Sequence, residues 1–297
     1  MRSPADLSIK IPATLNEALQ IMQSDPGNWR PIAGGTDVMV QIHAGTISHH
    51  QFVDLSSIKD LKEFKESPDK LTIGASVTFS ELRSSPMTQK HFPLLAMAAK
   101  SIGAIAIQNR ATIGGNVANA SPAADSGPAL LAYDAEIELI SANGKRILPY
   151  ADFHLGYKKT ALRPDEIIKS FILPRATDPL RRHYFNKIGT RKAQAISKLS
   201  FAGIIEFVDD GTLHNPPPTE RVIKDLRIAI GSVAPTVIRC FQTETVLKKN
   251  PLTSQLLTIA QNTLKKDILP INDIRSTASY RREVAASLLE DFLTTAS

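Results

Sequence analysis

The chain of 297 residues contains a single cysteine, Cys240. One thiol excludes an intramolecular disulfide and any iron–sulfur cluster that takes four thiolates from this chain. The seven histidines show no metal-ligand spacing. His49 and His50 are adjacent, and adjacent side chains in regular structure point away from each other. The sequence therefore predicts no metal site in this chain.

Long apolar runs and dense basic patches are also missing. No stretch approaches the roughly 18 apolar residues of a membrane span, and the first residues lack the apolar core of a signal peptide, so we expect no membrane span and a cytoplasmic location. The 35 basic and 29 acidic residues give a net charge of +6. Because few aromatic residues lie between the basic pairs, we expect no nucleic-acid interface.

Two Gly-Gly pairs stand out in the chain. Gly34-Gly35 follows a short apolar run, and Thr36 or Asp37 then begins a segment that we expect to be helical. Gly114-Gly115 follows Thr112 and lies among other short polar side chains. Adjacent glycines permit positive φ and a close approach of another group, so we expect positive φ in both loops. Free N–H groups in such bends can face a phosphate. A surface turn can also need two glycines, but two such loops indicate a ligand with a pyrophosphate, held from two sides.

Neither glycine pair belongs to a Rossmann or P-loop motif, because G-x-G-x-x-G and Gly-Lys-Ser/Thr are absent.

Capping-box patterns begin at Thr14 and Thr78 and predict helices that end at the Asp25-Pro26-Gly27 turn and before Pro86. On the last helix we expect a core-facing stripe of Tyr280, Val284, Leu288 and Phe292. We further predict strands at 51–54, 70–74, 136–140, 147–148, 167–173, 183–188, 197–207 and 225–230, turns at 143–144 and 209–211, a stiff loop at 215–218, and helices at 92–102, 126–131, 254–264 and 277–293.

The two glycine motifs, Ala-Gly-Gly-Thr-Asp at 33–37 and Thr-Ile-Gly-Gly-Asn at 112–116, resemble the FAD-binding subunit of the xanthine dehydrogenase and carbon monoxide dehydrogenase family of molybdenum hydroxylases. Further matches are Lys187 and the segments 123–125, 191–197, 233–240 and 279–281. The resemblance implies an α+β fold with a two-lobed FAD-binding domain of the vanillyl-alcohol-oxidase (PCMH) type at 1–176. Its lobes would span about 1–55 and 56–176. A C-terminal domain with a small antiparallel sheet and helices would follow at 177–297.

The resemblance also implies a function. The chain would be the electron-transfer subunit of a molybdenum hydroxylase, taking electrons from the [2Fe–2S] clusters of a small subunit and passing them to NAD⁺ or another acceptor. A large subunit would hold the molybdenum cofactor, and the assembly would be a dimer of heterotrimers. The residues leave three alternatives open: a free-standing flavin-dependent oxidoreductase of the same fold superfamily, an assembly subunit that has lost FAD, and a nucleotide-binding regulatory module of another fold.

By resemblance, the FAD pyrophosphate would lie on both glycine loops, Asp125 would hold the adenosine ribose, and Lys187 would lie beside the isoalloxazine ring. From the residues alone, Asp125 can instead cap the helix around Pro128, and Lys187 can be solvated. We predict noncovalent FAD and no catalytic residue, since the cofactor supplies the chemistry. The candidate FAD-binding residues are Arg30, Pro31, Ile32, Ala33, Gly34, Gly35, Thr36, Asp37, Val38, Ile102, Ala111, Thr112, Ile113, Gly114, Gly115, Asn116, Ser121, Asp125, Ile167, Ile168 and Lys187. Ile102, Ile167 and Ile168 would form the apolar wall of the ring site, although each can equally be a core residue.

Overall fold

The computed structural model describes residues 7–175, 181–208 and 222–295. These residues form one small parallel sheet, two larger antiparallel sheets and a two-stranded hairpin. Within the described part of the chain, no helix is both long and apolar enough to cross a membrane. The predicted domain boundary at 176/177 falls outside the described residues and stays a prediction, as do the turn at 209–211 and the loop at 215–218.

The first lobe, residues 7–55, is a parallel sheet covered by a helix. The strand order is β1-β3-β2. The Thr14 hydroxyl accepts a hydrogen bond from the N–H of Glu17, and the buried face of α1 carries the predicted apolar residues from Leu15 to Met22. The elements of this lobe are β1 (Ser8–Lys10), α1 (Leu15–Ser24), β2 (Trp29–Ile32), α2 (Val38–His43) and β3 (Gln51–Asp54).

The second lobe, residues 56–175, is built on an antiparallel sheet with strand order β4-β5-β10-β6-β7. The capping box at Thr78 and Glu81 is present, and Gly144 takes φ +137° in the predicted hairpin turn. The elements are β4 (Phe64–Glu66), β5 (Lys70–Gly74), α3 (Phe79–Ser84), α4 (Pro86–His91), α5 (Pro93–Ser101), α6 (Ile105–Gln108), α7 (Ile113–Ala118), α8 (Ser126–Ala132), β6 (Glu136–Ser141), β7 (Gly144–Pro149), β8 (His154–Gly156), β9 (Lys159–Thr160) and β10 (Ile167–Pro174).

The C-terminal part, residues 181–208 and 222–295, is an antiparallel sheet with strand order β11-β12-β13-β14 and three helices. Strand β12 is buried along its whole length. Ala202 and Ile204 belong to the core of the second lobe, whereas Phe201 and Ile205 pack with the C-terminal helices, as expected for alternating faces. The elements are β11 (Arg182–Ile188), β12 (Leu199–Phe207), β13 (Ile223–Gly231), β14 (Ile238–Arg239), α9 (Phe241–Leu247), α10 (Ser254–Asp267) and α11 (Ala278–Thr295).

The predicted stripe on the last helix is wrong at its beginning. Tyr280 is 42% exposed, while Leu288 and Phe292 lie in the core. At the first turn of α11, the buried side chain is Arg281, which donates to the carbonyl of Ser232 and to Asp273. The first turn therefore contacts a polar loop, so the apolar face starts later in the helix.

Candidate functional site

The two glycine loops contact each other through their backbones. A Cβ on Gly34 would lie 1.9 Å from the carbonyl oxygen of Arg110, so no side chain fits at this position. The Arg110 Nε donates to the Gly34 carbonyl at 3.3 Å. Residues far apart in sequence are thereby joined into one surface, as the sequence predicts for a ligand held from two sides.

In the first loop, the predicted positive φ is confirmed at Gly35, which takes φ +71°. The chain then turns into α2 at Val38, and Asp37 is its N-cap residue without a side-chain capping bond. Within the described residues, the N–H groups of Gly35 and Thr36 donate no hydrogen bond. Unused backbone donors of this kind are the partners that a bound anion requires.

In the second loop, the predicted positive φ is wrong. Gly114 and Gly115 lie in helix α7, whose N-cap Thr112 accepts a hydrogen bond from the Gly115 N–H at 3.1 Å. The two glycines have different reasons to lack a side chain. A Cβ on Gly114 would lie 2.6 Å from the Cβ of Ala75, whereas Gly115 is exposed and lines a cleft.

The cleft has a volume of about 560 Å³, which lies within the range of small-molecule and cofactor sites. Both glycine loops, the start of β10 and the segment that follows β8 form its walls. Sixteen of the candidate residues line it: Arg30, Pro31, Ile32, Ala33, Gly34, Gly35, Thr36, Asp37, Val38, Ala111, Thr112, Gly114, Gly115, Asn116, Ile167 and Ile168.

Five candidate residues are not among those that line the cleft: Ile102, Ile113, Ser121, Asp125 and Lys187. Ile113 is fully buried in the core of the second lobe. Ile102 also belongs to that core, and its carbonyl accepts a hydrogen bond from the Gln108 side chain. The Ser121 hydroxyl accepts from the N–H of Ala123.

Asp125 and Lys187 form a buried ion pair between the second lobe and the C-terminal part. The Lys187 Nζ lies 2.7 Å from an Asp125 carboxylate oxygen and 2.9 Å from the carbonyl of Ser101, and the other carboxylate oxygen accepts from the Ser197 hydroxyl. Burial raises the pKa of the Asp125 carboxyl, and the Lys187 charge opposes that rise. The alternative expected from the residues alone is confirmed in position, because Asp125 is the N-cap residue of α8, but its side chain makes no capping bond.

The residue that follows Asp125 contacts the wall of the cleft. The Ser126 hydroxyl donates to the side-chain oxygen of Asn116 at 2.6 Å, and Asn116 lines the cleft. The start of α8 therefore carries both this contact and the ion pair.

Fourteen residues of the cleft were not among the candidate FAD-binding residues: Met22, Gly27, Gln41, Leu55, Ala75, Ser76, Ala118, Asn119, Lys158, Thr160, Leu162, Arg163, Pro164 and Glu166. Six of them come from the segment between β8 and β10. The basic pair at 158–159 and the Arg-Pro-Asp-Glu run at 163–166 were the available signals, and surface lysines and arginines are too common to single out.

The charges of the cleft favour an anion. Arg30, Lys158 and Arg163 line it together with two acidic residues, Asp37 and Glu166. Arg146 binds both carboxylate oxygens of Glu166, at 2.7 and 2.8 Å, and thereby neutralises one acid. Four glycines line the cleft and are called the glycine wall below: Gly34, Gly35, Gly114 and Gly115. This wall, the unused backbone N–H donors and the excess of cationic over unpaired acidic side chains fit a ligand with a pyrophosphate.

Two models of known protein families match this chain. The model for the FAD binding domain in molybdopterin dehydrogenase matches residues 5–176, and the model for the CO dehydrogenase flavoprotein C-terminal domain matches residues 184–296.

Relatives of similar length are known. The xanthine dehydrogenase FAD-binding subunit of Escherichia coli O157:H7 is 32% identical over 286 residues, covering 96% of this chain and 94% of that protein. The carbon monoxide dehydrogenase medium chain of Hydrogenophaga pseudoflava is 25% identical over 293 residues, covering 99% and 98%.

Solved structures share the fold. A chain of carbon monoxide dehydrogenase from Hydrogenophaga pseudoflava superimposes with a TM-score of 0.89 at 24% identity, covering 98% of this chain and 96% of that one. A chain of quinoline 2-oxidoreductase from Pseudomonas putida gives 0.87 at 23% identity, covering 100% and 98%. The α+β architecture expected from the sequence is thus confirmed. The chain belongs to the family of FAD-binding subunits of the molybdenum hydroxylases, which includes subunits of xanthine dehydrogenase and carbon monoxide dehydrogenase.

Proposed function

We propose that the cleft between the two glycine loops binds FAD noncovalently, with its pyrophosphate on the surface that the loops share. The observation that carries this proposal is the direct backbone contact of Gly34 with Arg110. It places the unused donors of Gly35 and Thr36 in the same cleft as the glycine wall at Gly115. The Thr36 hydroxyl and the Arg30 guanidinium add further donors to an anionic ligand.

Asp125 and Lys187 form their ion pair outside the residues that line the cleft. The pair joins α8 to β11, and Ser197 adds a hydrogen bond from the residues just before β12. Both carboxylate oxygens of Asp125 already accept hydrogen bonds from protein donors. Asp125 is therefore better suited to joining the C-terminal part to the second lobe than to binding the ribose.

The chain itself transfers electrons and needs partners at both ends of that transfer. Its one cysteine cannot hold a [2Fe–2S] cluster, and relatives of matching length are named as medium chains or FAD subunits. We therefore place the [2Fe–2S] clusters on a small partner subunit and the molybdenum cofactor on a large one, in a dimer of heterotrimers. Bound FAD supplies two-electron chemistry to NAD⁺ or another acceptor. The residues of this chain bind FAD, orient it and exclude water around it.

The electron path is tested by anaerobic mixing. The flavin-loaded chain is mixed with the [2Fe–2S] subunit that co-purifies with it, after that subunit has been reduced with dithionite and freed of excess reductant. We expect flavin absorbance to fall while the absorbance of the oxidised clusters returns, and NAD⁺ to restore the flavin absorbance if it is the acceptor. The proposal is wrong if the flavin stays oxidised and the chain alone turns over a substrate.

A further inference from the structure

Lys158 lies at the tip of the β8–β9 hairpin and faces the cleft. Its φ is +57°, a left-handed conformation that costs a side chain other than glycine or asparagine about 1 kcal/mol or more. The neighbouring Tyr157 is 65% exposed. The hairpin thus keeps Lys158 in a backbone conformation that is unfavourable for a lysine.

The Lys158 ammonium turns back over the cleft wall. Its Nζ donates to the carbonyl and to the side-chain oxygen of Asn119, both at 2.7 Å. Asn119 ends helix α7, the helix that carries Gly115. The contact therefore holds the ammonium close to the glycine wall.

This ammonium has no carboxylate partner within 4 Å among the described residues. Partial loss of hydration lowers the pKa of Lys158, and the charge of Asp37 opposes that change only in part. Lys187 contrasts with it, because its ammonium touches the Asp125 carboxylate. A cation that loses water and bonds only to neutral oxygens is stabilised when an anion arrives.

We propose that Lys158 binds a phosphate of the dinucleotide in the cleft. An ammonium has three donors, and Asn119 takes two of them, so one remains for an anionic oxygen. The β8–β9 hairpin would then close one side of the site through this contact. The inference rests on the proposed FAD site and adds to it one cationic side chain, Lys158, which lies outside both glycine motifs.

The test is a titration of the apoprotein with FAD, followed by quenching of flavin fluorescence. The variants are Lys158→Met, Lys158→Arg and the matched control Lys159→Met, which changes the next lysine on β9. We expect Lys158→Met to weaken FAD binding by about 10- to 100-fold, the scale for losing a hydrogen bond to a charged group. Lys158→Arg should retain most of the affinity, and Lys159→Met should bind as the wild type does.

Salt dependence separates a contact with phosphate from a structural role. Because salt screens charge interactions, FAD affinity of the wild type should fall with added KCl more steeply than that of Lys158→Met. Thermal unfolding of each apoprotein checks that the fold is retained. If the melting temperature of Lys158→Met drops, the same salt series with Lys158→Gln decides whether Lys158 contacts the phosphate.

The two proposals fail in different ways. Equal FAD affinity and equal salt dependence in the wild type and Lys158→Met would overturn the role of Lys158 while leaving the FAD site intact. A wild-type apoprotein that binds no FAD would overturn the proposed function, and the inference with it.

Discussion

Gly114 and Gly115 are adjacent, yet we expect different effects when each is replaced by alanine. Gly114→Ala should lower the stability of the fold, whereas Gly115→Ala should lower the affinity for FAD. In Gly115→Ala, the new Cβ would point into the cleft, and its close protein neighbour is the Thr112 hydroxyl oxygen at 3.0 Å. Helix propensity favours alanine over glycine by about 1 kcal/mol. Disturbing the Thr112 cap costs about the same. The free energy of unfolding should therefore change by less than about 1 kcal/mol, because these two effects offset each other.

Gly114→Ala should behave differently. Its Cβ would lie 2.6 Å from the Cβ and 2.7 Å from the carbonyl oxygen of Ala75, and this backbone cannot move aside cheaply. Overpacking of this kind costs about 1–3 kcal/mol. We expect a lower melting temperature for Gly114→Ala.

FAD affinity is the second quantity to compare. A methyl group on Gly115 occupies space that the bound cofactor requires, so we expect Gly115→Ala to lower FAD affinity by at least about tenfold, or 1.4 kcal/mol. The assays are fluorescence titration with FAD and thermal unfolding of each apoprotein. Wild-type FAD affinity in Gly115→Ala would show that the cofactor does not approach this helix and would refute the placement of the site.

Three further changes test other parts of the structure. Gly34→Ala should lower the melting temperature and FAD affinity together, because its Cβ would meet the Arg110 carbonyl at 1.9 Å; unchanged values for both would contradict the contact of the loops. Lys187→Met should destabilise the apoprotein by about 3 kcal/mol, because Asp125 would keep a buried charge without a partner, and adding Asp125→Asn should restore part of that stability in the same thermal assay. Burial lowers the pKa of His183 to about 4 from 6.5; the folded protein then binds fewer protons than the unfolded chain, so stability falls as pH drops from about 6.5 towards 4, by up to about 3 kcal/mol. His183→Phe should flatten the melting temperature over that pH range, and an unchanged slope would assign the acid sensitivity to other groups.

Local signals in the sequence predicted much of the fold. The predicted N-cap residues Thr14 and Thr78 lie where α1 and α3 begin, because a cap and the apolar residues that follow it act within one or two turns. The hairpin at Asn143-Gly144 is likewise local. The two glycine pairs by themselves predicted a ligand held from two sides, and the structure brings Gly34 into contact with Arg110.

The parts that the sequence did not reveal depend on tertiary contacts. Gly114 and Gly115 resemble a loop in sequence, but Thr112 caps a helix there and Ala75 packs against it. The contact of Lys158 with Asn119 and that of Lys187 with Asp125 join residues on separate elements. No periodicity or spacing along the chain encodes such pairs, so lysine side chains that look solvated in sequence can take part in a site.

The central proposal is that this chain, an FAD-binding subunit by family, transfers electrons within a three-part molybdenum hydroxylase. The most direct measurement is an absorbance spectrum of the natively purified protein, with molybdenum and iron determined on the same sample. We expect flavin bands together with iron and molybdenum in fixed ratios to this chain. Flavin without either metal, in a protein that oxidises a substrate by itself, would contradict the account and favour a free-standing flavoenzyme.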